Sequence, residues 1–400
     1  MSDSTEIPFS RPDIGEAEID AVTRVLKSGW LTTGSEARQF EQEFCAYTSA
    51  RYAVAVSSAT AGLHLMLEAM GVGKNDYVAL SPYTFASSAE VIRYLGAHPL
   101  FVDIEADGYN ICPQALEEAL LHAQQSGKTV RAVMPVHIAG RACDMERIRE
   151  IAANHDLQVL EDAAHALPST DSTGVRIGAR GNAVFSFYAN KPVTSAEGGM
   201  ITTDNEVLYE RVMRMRLHGI DRTIWDRYRR PGAGWSYDVI EAGYKYNLPD
   251  VLASLGRVQL SRSDETHARR SALAVRYADL LHRVDGVTVL NNPAKDQARA
   301  GGDAWHLFMI AVNPEHRDSI IEYMAKERIT CSVHYRPLHM MSYYRRQYGT
   351  ADNDAPRAHE RFLGAISLPL FPGLSEREQD RVVSVLGRAL RACCMAGEHG

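Results

Sequence analysis

The segment Phe185–Met200 reads FSFYANKPVTSAEGGM: an apolar run, one lysine followed by a proline, and a Glu-Gly-Gly turn that leads back into apolar residues. Pro192 disfavours helical geometry at Lys191, and the paired glycines permit a tight reversal of the chain. Because desolvation lowers the pKa of an amine, a lysine held on such a loop beside an apolar strand becomes a usable nucleophile or base. The alternative is an ordinary solvated lysine, since most lysines are exposed.

Short apolar strands alternate with helical patterns on both sides of this segment. The predicted strands are Tyr52–Val56, Tyr77–Pro82, Pro99–Ile104, Ala132–His137, Gln158–Asp162, Val184–Phe187 and Met200–Thr203. Between them, apolar residues recur at helical intervals in Leu63–Met70, Cys112–Gln125 and Met145–His155. This alternation predicts an α/β fold with a mainly parallel central sheet and helices on both faces. Ligands of such sheets bind outside the carboxyl ends of the strands.

The C-terminal part has a different pattern. Its predicted elements are a long helix, two strands and two further helices: Val251–His282, Val287–Leu290, His306–Val312, Arg317–Arg328 and Glu376–Cys394. This mixture predicts a smaller C-terminal α+β domain, so we divide the 400 residues into a large domain, 1–255, and a small domain, 256–400. An irregular stretch from His218 to Asp250 precedes the boundary, and loops of that length in compact domains are often functional.

Composition and charge are typical of a soluble globular protein, with 45% apolar and 23% charged residues. The net charge of −7 argues against a broad nucleic-acid-binding surface. The six cysteines are too sparse for a disulfide framework and have no paired metal-ligand spacing. The sequence has no apolar run long enough to span a membrane, and its polar start lacks the features of a signal peptide. We therefore expect a cytoplasmic protein without a metal site, a membrane segment or a nucleic-acid partner.

Two further motifs lie at predicted strand ends. Ser58–Gly62 is a small, hydroxyl-rich turn before a helix, where free backbone N–H groups and the positive helix end suit a phosphate. Asp162 closes an apolar strand at the ligand-binding edge, where a carboxylate could hold a ligand cation. Each also fits an ordinary helix N-cap, because Ser, Thr and Asp are preferred there. The glycine-bounded loop Trp30–Gly34 either contacts a ligand or is a connecting turn.

Three of these features together fit one cofactor. Pyridoxal 5′-phosphate needs an amine for its aldehyde, a carboxylate for its pyridine nitrogen and a dipole-rich cradle for its phosphate. Lys191, Asp162 and the Ser58–Gly62 turn can supply them. The carboxylate keeps the ring nitrogen protonated, which makes the ring a better sink for negative charge at the substrate carbon. The sequence therefore predicts a pyridoxal-phosphate enzyme.

Several motifs in order also resemble those of one family. They are GWLTTG at 29–34, SATAG at 58–62, EDAAHA at 161–166, the lysine segment, GYKYNL at 243–248 and SLPLFP at 367–372. Each is weak alone, but together they resemble the DegT-type sugar aminotransferases, which are fold-type I pyridoxal-phosphate enzymes acting on nucleotide-linked keto sugars. The resemblance spans nearly the whole chain. Within the family, it is most similar to the members that make UDP-4-amino-4-deoxy-L-arabinose.

The resemblance implies the residues that bind the cofactor. Lys191 is expected to form the Schiff base and to act as general base, Asp162 to pair with the pyridine nitrogen, and His165 to lie beside the ring. Phe85 takes the place of a stacking ring that is tryptophan in the most similar members, so we expect stacking by a smaller ring. The implied phosphate contacts are Thr60, Ala61, Ser186 and, from the neighbouring subunit, Asn247. That last contact implies a homodimer with active sites at the interface.

The resemblance also implies the reaction and the substrate contacts. The enzyme is expected to move an amino group from L-glutamate, with 2-oxoglutarate as product, to the C4 position of a UDP-linked 4-keto sugar. The implied substrate-binding residues are Trp30, Thr33, Gly34, His334, Tyr335 and Arg336. Arg336 either meets a diphosphate or is an ordinary surface arginine.

Two alternatives belong to the same fold. A pyridoxal-phosphate sugar dehydratase typically has a histidine in place of the lysine, so Lys191 argues against it. A non-catalytic regulator would need an interaction or DNA-reading module, and the sequence contains no basic helix-turn-helix pattern and no leftover domain to hold one.

Overall fold

The computed structural model describes residues 5–221, 237–293 and 302–397. Residues 222–236 of the predicted irregular stretch lie outside these ranges. None of the helices that the structure describes is long and apolar enough to cross a membrane.

A seven-stranded sheet forms the centre of the larger unit. Its strands are β1 (Tyr52–Val56), β2 (Tyr77–Leu80), β3 (His98–Phe101), β4 (Val130–Val133), β5 (Gln158–Asp162), β6 (Asn182–Ser186) and β7 (Gly199–Thr203). They lie in the order β1-β7-β6-β5-β4-β2-β3. β7 is antiparallel to both of its neighbours, whereas the other adjacent pairs are parallel. The predicted mainly parallel sheet is confirmed.

Helices cover both faces of this sheet. They are α1 (Glu16–Ser28), α2 (Ser35–Thr48), α3 (Ala59–Ala69), α4 (Ala86–Tyr94), α5 (Pro113–Gln125), α6 (Met145–Asn154), α7 (Glu206–Met215) and α8 (Asp250–Ser261). In β2, Val78 and Leu80 join the core formed with α3, α4 and α7, whereas Ala79 joins the core formed with α5 and α6. This alternation follows from the two-residue period of a strand, and it shows that both faces are buried.

The smaller unit has a second sheet of three antiparallel strands in the order β10-β9-β8. Its elements are β8 (Thr288–Val289), β9 (Phe308–Ala311), β10 (Ala365–Leu368), α9 (Ser263–Leu281), α10 (Arg317–Lys326), α12 (Pro356–Gly364) and α13 (Glu376–Gly397). The helix α11 (Ser342–Tyr348) packs instead on the core of the larger sheet through Tyr344. A separate apolar core includes Tyr277 of α9, Phe308 of β9 and Leu386 of α13. The N-terminal segment joins this core through Ile7, whose N–H donates to the Arg328 carbonyl at 2.9 Å.

The long helix predicted for Val251–His282 is two helices, α8 and α9, which meet at Arg262. The backbone leaves helical geometry there, with φ −101° and ψ 4°, and the guanidinium binds Asp13 at 2.7 Å and Glu18 at 2.9 Å. α8 packs against α1 and α2, whereas α9 packs against α13. We therefore propose that the chain passes from the large to the small domain at this break, close to the predicted division between residues 255 and 256.

Candidate functional site

The loop between β6 and β7 carries Lys191. The Phe187 N–H donates to the Gly198 carbonyl at 2.9 Å and closes the loop at its base. Burial lowers the pKa of the Lys191 amine to about 7, and the negative charge of Asp162 only partly opposes this effect. The amine can therefore lose its proton near neutral pH, which an exposed lysine does not do.

Asp162 ends β5, the parallel neighbour of β6. Its buried carboxylate accepts hydrogen bonds from the Ser88 hydroxyl at 2.7 Å and from the Ala164 N–H at 3.2 Å. Burial raises the pKa of the Asp162 carboxyl, and the Ser88 bond and the charge of Lys191 oppose that rise. The ring centroid of His165, three residues after Asp162, lies 4.3 Å from that of His306, whose Nε2 is 3.4 Å from the Lys191 Nζ. The amine and the carboxylate therefore lie in one pocket, where each charge acts on the other group's pKa.

His165 lies in the same pocket with a defined protonation. Its Nδ1 accepts a hydrogen bond from the Ala139 N–H at 3.3 Å, so the hydrogen of the neutral ring is on Nε2. Nε2 lies 3.1 Å from the Tyr335 hydroxyl oxygen and donates to it. Burial lowers the pKa of His165 well below its usual value, and the charge of Lys191 adds to this effect. The ring is therefore neutral at physiological pH.

His306 is a site residue that sequence analysis missed. It precedes β9 in the smaller unit, and its Nε2 lies 3.4 Å from the Lys191 Nζ. Its ring centroid is 4.3 Å from that of His165. The His306 N–H donates to the Ala139 carbonyl at 3.0 Å, so Ala139 holds both histidines through its own peptide groups. In the sequence, His306 is a single histidine at the start of an apolar strand, and no local pattern marks it.

The predicted segment His334–Arg336 contributes unequally to the pocket. His334 hydrogen-bonds through Nδ1 to the Ser367 hydroxyl at 2.9 Å, and burial lowers its pKa to about 4. The charge of Lys191 also lowers the pKa of His334, and the His334 ring centroid lies 4.9 Å from that of Tyr335. Arg336 is exposed, and its guanidinium donates to the Met340 carbonyl at 3.4 Å.

The phosphate-type turn lies beside the lysine loop. The Ser58 hydroxyl caps α3 by accepting from the Ala61 N–H at 3.1 Å, so the turn is a helix N-cap, and its phosphate role stays a prediction. Thr60 of the same first turn is half-buried. In the sheet, Gly199 pairs with both Val56 at the end of β1 and Ser186 at the end of β6. A Cβ on Gly199 would lie 2.7 Å from the Ala59 nitrogen, so glycine lets the start of α3 approach the loop.

Phe85 stands at the entrance of the pocket. It is the N-cap residue of α4 and is 61% exposed. Its ring centroid lies 6.2 Å from that of Tyr335, which contacts His165. An exposed aromatic ring at this position can stack on a flat ligand that enters the pocket.

The remaining predicted residues surround a different cavity of about 970 Å³. Its lining includes Thr33, Gly34 and Asn247 but none of Lys191, Asp162 and His165. The Asn247 amide donates to the Thr33 hydroxyl at 2.6 Å, and the Lys245 ammonium donates to the Asn247 carbonyl oxygen. Within one chain, Thr33, Gly34 and Asn247 therefore form a second group by the lining of this cavity, although the Asn247 backbone pairs with Val56, next to the Ser58–Gly62 turn.

Trp30 belongs to the second group through its contact with Gly34. A Cβ on Gly34 would lie 2.2 Å from the Trp30 Nε1, so only glycine lets the indole pack there. The Asp250 carboxylate accepts from the Gly34 N–H at 2.7 Å and from the Ala37 N–H at 3.0 Å. These bonds fix the Trp30–Gly34 loop to the start of α8.

Comparisons with known proteins agree with the predicted family. A model of the DegT/DnrJ/EryC1/StrS aminotransferase family matches residues 12–387. SpsC, a spore coat polysaccharide biosynthesis protein of Bacillus subtilis (strain 168), is 41% identical over 386 residues, which cover 95% of this chain and 96% of SpsC. An uncharacterised protein of Methanocaldococcus jannaschii is 39% identical over 385 residues, with 95% and 96% of the two chains covered.

Solved structures share the fold. The PLP form of Spr1654 from Streptococcus pneumoniae has a TM-score of 0.86 and 32% identity, with 96% of this chain and 98% of that chain covered. Spr1654 is also solved in a PMP form. PseC of Helicobacter pylori, an aminotransferase involved in the biosynthesis of pseudaminic acid, has a TM-score of 0.85 and 25% identity, with 97% and 100% covered.

The pocket fits the cofactor of these neighbours. Lys191 offers an amine with a pKa of about 7, and Asp162 offers a buried carboxylate in the same pocket. Gly199 brings the start of α3, with its backbone N–H groups, close to the lysine loop. Pyridoxal phosphate requires these three kinds of group. The chain is thus an aminotransferase that uses pyridoxal phosphate, and it belongs to the DegT/DnrJ/EryC1/StrS family of sugar aminotransferases.

Proposed function

We propose that this enzyme transfers the amino group of L-glutamate to C4 of a UDP-linked 4-keto sugar, in the cytoplasm, for surface polysaccharide, lipid A or another amino-sugar product. The observation that carries the proposal is the amine of the half-buried Lys191, whose pKa is lowered to about 7, in one pocket with the buried Asp162 carboxylate. An aminotransferase needs such an amine both to hold its cofactor and to move protons near neutral pH.

Each residue of the pocket has a proposed task. When bound, the cofactor supplies an electron-accepting ring that stabilises negative charge at the carbon losing a proton. Lys191 would hold the cofactor through its amine and, when free, would carry a proton on Nζ. Asp162 would bind the ring nitrogen and keep it protonated. The first turn of α3, at Thr60 and Ala61, would hold the phosphate together with the Ser186 hydroxyl, because helix N-termini bind anions.

His165 and His306 set the position of these groups. Both rings are neutral, so neither repels a Lys191 ammonium by charge. We propose that His165 lies beside the cofactor ring, held by Ala139 and Tyr335. We propose that His306 accepts a hydrogen bond from the Lys191 amine when it is free, since its Nε2 lies 3.4 Å away. Phe85 would stack on the cofactor from the entrance.

Two copies of the chain would complete each site. Asn247 and Thr33 line a cavity that lacks Lys191, and Trp30 packs on Gly34 of the same lining, yet the resemblance gives all of these residues roles in one reaction. In a homodimer, all of them could serve one site if the cavity of one subunit faced the lysine pocket of the other. Asn247 of one protomer would then reach the phosphate held by its partner.

Two kinds of observation support the proposed substrate class: the pathways of similar proteins, and the exposed Arg336 at the pocket entrance. SpsC acts in polysaccharide biosynthesis and PseC in pseudaminic acid biosynthesis, so amino-sugar products are expected here. The exposed Arg336 guanidinium follows Tyr335 at the pocket entrance and retains free donor capacity, because arginine has five N–H groups. A diphosphate that links a sugar to a nucleoside suits such a planar cation. The dehydratase alternative lacks support, because Lys191 is present.

The test has two stages. Purified protein loaded with the cofactor is mixed with L-glutamate, and the cofactor absorbance and the release of 2-oxoglutarate are followed. The aminated enzyme is then offered UDP- and dTDP-linked 4-keto and 3-keto sugars, and products are identified by mass spectrometry. We expect 2-oxoglutarate in the first stage and a UDP-linked 4-amino sugar in the second. Loss of oxygen from the sugar without nitrogen gain would indicate a dehydratase, and an unchanged spectrum with every amino donor would indicate a non-catalytic protein.

A further inference from the structure

Two hydroxyl groups at the start of α4 stand behind Asp162. The Ser88 Oγ lies 2.7 Å from the Asp162 Oδ2, and the Thr84 Oγ1 lies 2.9 Å from the Ser88 Oγ. Thr84, Ser88 and Asp162 are 2%, 1% and 3% exposed, so bulk water cannot replace these hydrogen bonds. Among the described residues, neither hydroxyl hydrogen-bonds to Lys191: Ser88 bonds to Asp162, and Thr84 bonds to Ser88.

The direction of these hydrogen bonds follows from chemistry. An ionised carboxylate has no hydrogen to give, so Ser88 donates to Asp162. The single Ser88 hydrogen is then used, and Thr84 must be the donor in its bond to Ser88. The donors therefore run from Thr84 through Ser88 to Asp162, and each bond polarises the next one. The Ala164 N–H holds the other carboxylate oxygen at 3.2 Å, so the plane of the carboxylate is fixed from both sides.

The ionisation of Asp162 supports the same conclusion. Burial raises the pKa of this carboxyl and favours its neutral form. The hydrogen bond from Ser88 is the first of the interactions that lower the pKa again, ahead of the Ala164 N–H and the Lys191 charge. A neutral carboxylic acid would not stabilise a protonated pyridine nitrogen. Ser88 therefore helps to keep Asp162 ionised, against the effect of burial, which favours the neutral acid.

We infer that Ser88, supported by Thr84, is a positioning residue that holds the Asp162 carboxylate in the orientation that a protonated pyridine nitrogen requires. The inference rests on the proposed contact between Asp162 and the ring nitrogen. Phe85, the N-cap of α4, directly follows Thr84 in this turn. The start of α4 thus positions both the Phe85 ring at the pocket entrance and the Ser88 hydroxyl that binds the Asp162 carboxylate.

The experiment measures how tightly the full-length apoenzyme binds two cofactors. One is pyridoxal 5′-phosphate, and the other is its 1-deaza analogue, which has a carbon in place of the ring nitrogen. Dissociation constants are obtained from the quenching of tryptophan fluorescence. In Ser88→Ala, we expect pyridoxal phosphate to bind on the order of tenfold more weakly, the range for a hydrogen bond to a charged group. The deaza analogue should bind as it does to the wild type, because it has no ring nitrogen for Asp162.

Matched variants separate positioning from packing. Ser87 is the neighbouring, half-buried serine of α4, and Ser87→Ala should bind both cofactors like the wild type. Thr84→Val keeps the shape but removes the donor to Ser88, so it should weaken pyridoxal phosphate a few-fold, less than Ser88→Ala does. Thr84→Ser keeps the hydroxyl and should restore wild-type binding. Thermal unfolding of each apoenzyme checks that the variants fold.

The outcomes distinguish this inference from the proposed function. Equal weakening of both cofactors in Ser88→Ala, or no weakening of either, would overturn the role of Ser88. Asp162→Asn is measured alongside, and it should weaken pyridoxal phosphate selectively and make a further Ser88→Ala change ineffective. If Asp162→Asn lacks this selectivity, the proposed role of Asp162 itself fails. If only Ser88→Ala lacks it, the role of Asp162 stands and the inference about Ser88 fails.

Discussion

The Nε2 of His306 lies 3.4 Å from the Nζ of Lys191, so a residue of the smaller unit directly contacts the amine of the larger one. The backbone of Trp305 and His306, just before β9, is held by two hydrogen bonds. The Arg270 guanidinium donates to the Trp305 carbonyl at 3.2 Å, and the His306 N–H donates to the Ala139 carbonyl at 3.0 Å. The segment before β9 therefore holds the His306 ring against the Lys191 amine.

The pH dependence of Lys191 reactivity provides a first prediction. Burial lowers the pKa of its amine to about 7, so the reactive neutral form should increase as the pH rises through about 7 and then level off. In the apoenzyme, labelling of Lys191 by trinitrobenzenesulfonate, measured by peptide mass spectrometry, should have its midpoint near there. The exposed Lys27 is the internal reference for the labelling yield. A Lys191 midpoint near the usual lysine value of about 10.4 would contradict an amine whose pKa is lowered by burial.

Replacing His306 should change that midpoint. Within the described residues, His306 is the side chain that hydrogen-bonds to the Lys191 amine, and an ammonium group needs an acceptor more than a neutral amine does. His306→Phe should therefore shift the labelling midpoint of Lys191 downward by up to about one pH unit. His306→Gln keeps an acceptor near the position of Nε2 and should shift it less. A midpoint that does not move in His306→Phe would exclude this hydrogen bond in solution.

Mixed dimers test the proposal that Asn247 acts across the subunit interface. Lys191→Ala and Asn247→Ala should each be strongly impaired alone. After unfolding and refolding together in equal amounts, about half of the dimers are mixed, and each mixed dimer has one site with both native residues. We expect the mixture to recover about a quarter of the wild-type turnover. No recovery, with mixed dimers shown to be present, would mean that both residues serve the same chain's site.

The close packing of Trp30 on Gly34 gives a prediction about stability. A Cβ at Gly34 would lie 2.2 Å from the Trp30 Nε1 and 2.7 Å from an Asp250 carboxylate oxygen. Gly34→Ala should lower the free energy of unfolding by about 1–3 kcal/mol, because overpacking strains both neighbours. Gly73→Ala is the control, since a Cβ there has no neighbour within 4 Å, and it should change stability by less than about 0.5 kcal/mol. Denaturant unfolding of the apoenzymes measures both, and equal effects would contradict the packing described at Trp30.

Sequence periodicity was sufficient for much of the fold. Alternating strands and helices indicate the parallel sheet, since each strand of residues 52–203 is a local apolar run. The observed ends of helices and strands differ from the predicted ones where contacts between residues distant in the sequence determine them. The helix predicted for Val251–His282 breaks at Arg262 because its guanidinium binds Asp13 and Glu18, which are about 250 residues away in the sequence. The predicted strand His306–Val312 shortens to Phe308–Ala311 because His306 is turned toward Lys191.

The candidate site was predictable only where motifs are local. Lys191 and Asp162 follow strands whose ends could be identified, so their meeting at one sheet edge was expected. Ser88 and His306 reach the same pocket from α4 and from the smaller unit, and only the folded chain brings them there. Likewise, no local pattern in the sequence indicates that Asn247 lines a cavity whose lining lacks Lys191.

The most direct test of the central claim identifies the lysine that holds the cofactor. The purified enzyme loaded with pyridoxal phosphate is reduced with borohydride, which makes the link permanent, then digested and analysed by mass spectrometry. We predict that the cofactor is found on the peptide containing Lys191, and that Lys191→Ala loses this modification together with the cofactor absorbance. Attachment to another lysine in the wild-type enzyme, or an unchanged absorbance in Lys191→Ala, would contradict the account.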